Sequence, residues 1–89
     1  MKHCDDYMND ENQLIRAWVR WHRQPAVDKI RTPMPRLFAT YDGRRVEVTM
    51  ASRLGDVGIR FVGSQADLHV CYERRGIGLD ELQDFGGQP

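Results

Sequence analysis

The residues of this 89-residue chain that could bind a metal or act as nucleophiles are few. His3-Cys4 and His69-x-Cys71 offer two imidazoles and two thiols, the ligand types zinc favours. Four ligands would converge only if the N-terminus crossed a strand over 68–73. His69 and Cys71 stand one residue apart, whereas structural zinc pairs favour two to four intervening residues. The pattern therefore predicts no metal and no cofactor. Ser52 and Ser64 lie near turns, and neither belongs to a G-x-S-x-G elbow. His69 and Cys71 at i and i+2 of a strand point in parallel, so they make no dyad. The carboxylate pairs Asp5-Asp6 and Asp80-Glu81 read as solvated charge. Gly55-Asp56-Val57-Gly58 precedes a strand instead of a helix, so it reads as a turn and not as a phosphate cradle. No catalytic residue is expected, and the chain is read as a non-enzyme.

Binding chemistry is better represented. Arg16, Arg20 and Arg23 recur at spacings of four and three, which makes a basic stripe on a helix. Phe38 opposes Leu37, Ala39 and Tyr41 along its strand, so it is expected outside the sheet, where an aromatic beside arginines suits a protein hot spot or a base platform. Asp80, Glu81 and Asp84 form an acidic second surface. The candidate partner-binding residues are thus Arg16, Arg20, Arg23, Phe38, Asp80, Glu81 and Asp84.

The elements that must position them follow from local patterns. Residues 1–8 are a polar, flexible lead-in. Asn9 or Asp10 caps a helix over 9–24, which Gln24-Pro25 stops. Leu14, Trp18 and Trp21 fall on its apolar line, flanked by Ala17, Ile15 and His22. Residues 25–35 are a proline-stiffened connector with no second long helix. A sheet fills 36–85. Asp42-Gly43 is a strong hairpin signal, and Val46, Val48 and Met50 alternate with Arg45, Glu47 and Thr49. Val57, Ile59 and Phe61 line a third strand. Leu68, Val70 and Tyr72 line a fourth, a turn takes 74–76, and Ile77 with Leu79 makes a short fifth. Asp80 caps a last helical turn holding Leu82 and Phe85, and 86–89 is a tail.

One domain of class α+β follows: an N-terminal amphipathic helix on a small, strongly bent antiparallel sheet or barrel of four to five strands. Net charge is zero, yet charge is segregated. Residues 1–12 carry −3, 13–36 carry +5 and 61–89 carry −3. The balance argues against bulk nucleic-acid binding and leaves specific contacts open. There is no signal-peptide pattern and no apolar run of membrane-spanning length. The expectation is a cytoplasmic protein with reduced thiols.

The layout resembles the small SH3-like and Sm-like barrels of prokaryotic adaptors and of RNA or transcription regulators. The resembling residues are Leu37–Met50 with its Asp42-Gly43, and the closing Gly78–Phe85. Cys4-Asp5-Asp6-Tyr7 is also similar to the N-terminal tetrapeptide of the small Rho-binding antiterminators, which carry it before a helix and an Sm-like barrel. The resemblance implies a non-catalytic regulator from a prokaryote or phage that masks a surface of a larger complex, as anti-CRISPR proteins and transcription-machinery inhibitors do. A protein partner is expected. Nucleic acid bound by the basic helix and the barrel face is the alternative, and self-association as a homodimer is open.

Overall fold

The computed structural model describes residues 2–65 and 71–89. Its fold is α+β, with two helices and a five-stranded antiparallel sheet. The strands are β1 (Leu37–Tyr41), β2 (Arg44–Ala51), β3 (Val57–Phe61), β4 (Arg74–Ile77) and β5 (Gln83–Gly86). Their order in the sheet is β4-β3-β2-β1-β5. Asp42 and Gly43 turn β1 into β2 with φ of 51° and 75°, the two positive angles that a tight hairpin turn demands. Leu37 then pairs with Val48, and Ala39 with Val46. Register irregularities interrupt the β1–β5, β2–β3 and β3–β4 ladders. Bulges of this kind bend a sheet. The bend does not close a barrel: β4 and β5 are its two edges.

Period-two alternation puts Leu37, Ala39, Val46, Val48, Val57 and Ile59 on one face, all fully buried. Helix α1 (Gln13–His22) lies on that face through Ile15, Trp18 and Val19. Leu79 and Leu82 complete the cluster. The apolar line read from the sequence is therefore rotated: Leu14 is 37% exposed and Trp21 half-buried, while Ile15 and Val19 flank a Trp18 with no exposure. Trp21 instead donates its indole N–H to the Thr32 carbonyl at 2.8 Å. The N-cap is Asn12, whose Oδ1 accepts from the amides of Leu14 (2.9 Å) and Ile15 (3.3 Å). The helix starts later than Asn9 or Asp10 because Asp10 caps the cap, accepting from the Asn12 amide at 3.0 Å.

Four other expectations need correction. Residues 2–8 are not a frayed lead-in: Cys4–Tyr7 is a 3-10 turn with Cys4 fully buried, so α1 is not the first element. Within 25–35, Ala26–Arg31 forms a short helix, α2. The prolines flank it and do not interrupt it, and Pro25 at its N-terminus is compatible with helix entry. The turn read at 74–76 is strand β4, in which Gly76 absorbs a φ of 81°. The last helical turn is a 3-10 turn, Leu79–Glu81, and Phe85 lies in β5. Gly78 N–H bonds the Glu81 carboxylate at 2.6 Å, which caps the start of that turn. The inner positions Leu68 and Val70 of the expected fourth strand lie outside the described residues.

His22 ends α1 with its ring centroid 4.1 Å from that of Trp18. Burial, then the charges of Lys29 and Arg23, push its pKa down to about 4. The two tryptophans should separate in a stability measurement. Trp18→Ala should cost about 3–5 kcal/mol. Trp21→Ala should cost roughly 1–2 kcal/mol, for one hydrogen bond and partial burial. Equal losses in urea titrations would refute the packing described. In acid, the unfolded chain takes up a proton at His22 before the folded one does. Stability should therefore fall as pH drops from about 6.5 to about 4 and gain no further His22 term below that. The loss should be of order 2 kcal/mol once solvent screening is allowed for. His22→Gln should flatten this part of the profile.

Candidate functional site

Each of the three arginines of the basic stripe hydrogen-bonds another part of the fold, while Arg20 remains exposed. Arg16 donates to the Asp10 carbonyl at 3.0 Å. Arg20 donates to the Met8 carbonyl and to Asn9 Oδ1, each at 2.7 Å. Arg23 bonds the Asp5 carboxylate, Cys4 Sγ at 2.9 Å and the Ser52 carbonyl at 2.9 Å. Together they clasp residues 4–10 against the helix. The spacing of the stripe was legible, but its partners were not, because they come from a segment that reads as polar and unstructured.

The clasp has a second anchor. Cys4 N–H donates to the Gly55 carbonyl at 3.0 Å, so the N-terminal turn seats on the β2–β3 turn. Gly55 has a φ of +98°, and a Cβ there would overlap the His3 ring. Asp56, 5% exposed, accepts from the Gly76 amide at 3.0 Å and ties the same turn to β4. Its pKa is lowered, first by a hydrogen bond from Ser52. The Gly-Asp-Val-Gly motif is thus a docking point within the fold. Ser52 belongs to the same turn: its Oγ accepts from the Leu54 amide at 2.9 Å.

Seating the turn brings acidic groups together. Tyr7 is half-buried against the core. Its pKa is raised, first by burial and then by the negative charges of Asp80, Asp10 and Asp6. Carboxylates from the first turn, the approach to α1 and the turn before β5 thus act on one phenol. None of the three is in an ion pair among the described residues. Lys2 Nζ lies 4.7 Å from the Tyr7 ring centroid and is the cation at the rim. Of the acidic candidates, Asp80 joins this face. Glu81 is exposed and spends one oxygen on the Gly78 amide. Asp84 is exposed at a φ of 54°, which aspartate tolerates. Asp6, Tyr7 and Asp10 were missed as site residues; the signal was Cys-Asp-Asp-Tyr, whose tyrosine ties the charges to the core.

Phe38 does lie opposite the inward residues of β1, but it is 2% exposed and not a surface aromatic. It pairs with Gly86 and Glu47, and the Arg36 guanidinium sits 5.0 Å from its ring centroid. Arg36 is held there by two hydrogen bonds to the Glu47 carboxylate, at 2.9 and 3.2 Å. Strand alternation gave the correct face; the cover came from a long side chain on the strand's own approach.

Ligand-type atoms of His3, Cys4 and Asp5 lie within 4.8 Å of one another, a different set from the one the sequence suggested. Arg23 contacts two of the three, so a metal ion would have to displace a guanidinium. Cys71 is exposed, and His69 lies outside the described residues. No helix among the described residues is long and apolar enough to cross a membrane. No family model, curated protein or solved structure matches the chain significantly.

Burial raises the Cys4 thiol pKa; Arg23 acts second and in the opposite sense. Cys4 should therefore resist a thiol reagent such as dithionitrobenzoate while exposed Cys71 reacts at once. Arg23→Ala should let the second thiol react in the folded protein. Two fast thiols in the unmutated protein would contradict a seated N-terminal turn.

Proposed function

We propose that this chain is a non-catalytic protein-interaction module, a small prokaryotic or phage regulator that masks a basic surface of a larger complex. What supports this reading is a local excess of negative charge: Asp6, Asp10 and Asp80 all act on the Tyr7 phenol, which packs against the core, and none is in an ion pair among the described residues. A rigid aromatic with charge around it fits an interface better than flexible charge does, because little side-chain entropy is lost on docking. Complementary charge speeds encounter and sets register. The basic surfaces of cytoplasmic machines are commonly nucleic-acid tracks, so such a face would compete with a nucleic acid for its own protein. The Cys-Asp-Asp-Tyr resemblance makes the transcription terminator Rho the first partner to test.

A second reading rests on a separate cluster. The Arg44 guanidinium lies 4.1 Å from the Phe61 ring centroid. Arg74 lies 5.7 Å from the same ring and 5.9 Å from Tyr41. Stacked guanidiniums beside aromatics also suit single-stranded nucleic acid. It is distinct from Arg16, Arg20 and Arg23, each of which spends at least one donor within the fold.

Calorimetric titration against Rho and against single-stranded RNA, each at two salt concentrations, distinguishes the two. The protein-masking reading expects Rho to bind, and Asp6→Asn/Asp10→Asn/Asp80→Asn to weaken it at least tenfold while the fold persists. Undiminished binding by a folded triple variant would remove the acidic face from the interface. Salt-sensitive RNA binding lost in Arg44→Gln/Arg74→Gln would favour the second reading instead.

A further inference from the structure

A cleft of about 580 Å³ opens where the corner between α1 and α2 meets the first turn and the β2–β3 turn. It is separate from the acidic face and from the Arg44–Arg74 cluster. Its chemistry-bearing walls are Asp5, His22, Arg23, Gln24, Lys29 and Arg53. Asp5 and Arg23 neutralise each other. Lys29 and Arg53 face no carboxylate within ion-pair distance among the described residues, so the cleft carries two uncompensated positive charges. Lys29 is positioned by Trp21, with its Nζ 5.2 Å from the ring centroid. Two wall residues hold buried polar atoms with no hydrogen-bond partner among the described residues, His22 Nε2 and Gln24 Oε1. Such groups are uncommon in a finished interior.

We propose that this cleft binds a small phosphate-bearing anion. A phosphate dianion matches the two unpaired cations in charge. The planar Arg53 fork and the Lys29 ammonium are the two ordinary side-chain partners of phosphate oxygens. His22 and Gln24 line the same cleft beside the two cations, which makes the His22 ring a reporter of an anion bound there. The volume lies within the range of small-molecule sites. The depressed pKa of His22, after burial, reflects the positive potential of Lys29 and Arg23 in the same place. A bound anion would offset that potential.

The test is an NMR titration of the His22 imidazole with ribose 5-phosphate, with chloride at matched ionic strength as control. Binding should saturate, move the His22 resonances and raise the His22 pKa by at least half a unit. Lys29→Gln/Arg53→Gln should weaken it at least tenfold. If that variant unfolds, Arg53→Gln alone serves, since the Arg53 side chain makes no hydrogen bond among the described residues. A response no larger than that to chloride overturns the proposal, and so does full affinity in the folded variant. A short single-stranded oligonucleotide should compete no better than the monoester; one that binds far more tightly overturns the small-molecule assignment.

Discussion

The Arg23 guanidinium is the constraint on which the most depends. It stands at the end of α1 and reaches the Asp5 carboxylate, the Cys4 sulfur and the Ser52 carbonyl at once. Those three groups belong to the first turn and to the exit of β2. A planar fork of donors can satisfy several acceptors in fixed directions, which an ammonium cannot do as well. Here it joins helix, turn and sheet at one point, beside a buried thiol. The Cys4–Gly55 backbone bond closes the same junction from the other side. A small domain buries little apolar surface, and polar fastening of this kind holds a segment that hydrophobic burial alone would leave loose.

The parts legible in the sequence were those set by local rules. The Asp-Gly hairpin, the alternation of β2 and the amphipathic helix each follow from a few adjacent residues. The sheet class followed from them. The errors share one cause: contacts between distant segments. The internal acceptors of Arg16, Arg20 and Arg23, from Cys4 to Asp10 and at Ser52, went unread because they carry no apolar pattern. Phe38 read as exposed because alternation reports a face and not its cover. Residues 74–76 read as a turn because Gly76 is a turn residue in isolation; in the sheet it serves as a bulge. Asp80 was picked for its charge, and its neighbours Asp6 and Asp10 became visible only when the first turn was seated.

The zero net charge conceals a division of labour. Arg16 and Arg20 give their hydrogen bonds to carbonyl and amide oxygens, and Arg23 alone of the three pairs with a carboxylate, that of Asp5. Asp6, Asp10 and Asp80 thus make no direct ion pair among the described residues. The cleft under α2 shows the converse, with two cations that meet no carboxylate among the described residues. Opposite potentials thus coexist on a chain whose total gives no hint of either.

Cys4 meets Gly55, and Tyr7 meets Asp80. These contacts join residues far apart in the sequence, and distant contacts close slowly, so the segment at 4–10 is seated late in folding. Until then its cysteine is open to oxidation and its carboxylates are unassembled. An incompletely folded chain would lack the cluster of Asp6, Asp10 and Asp80, because only the seated turn brings those charges together.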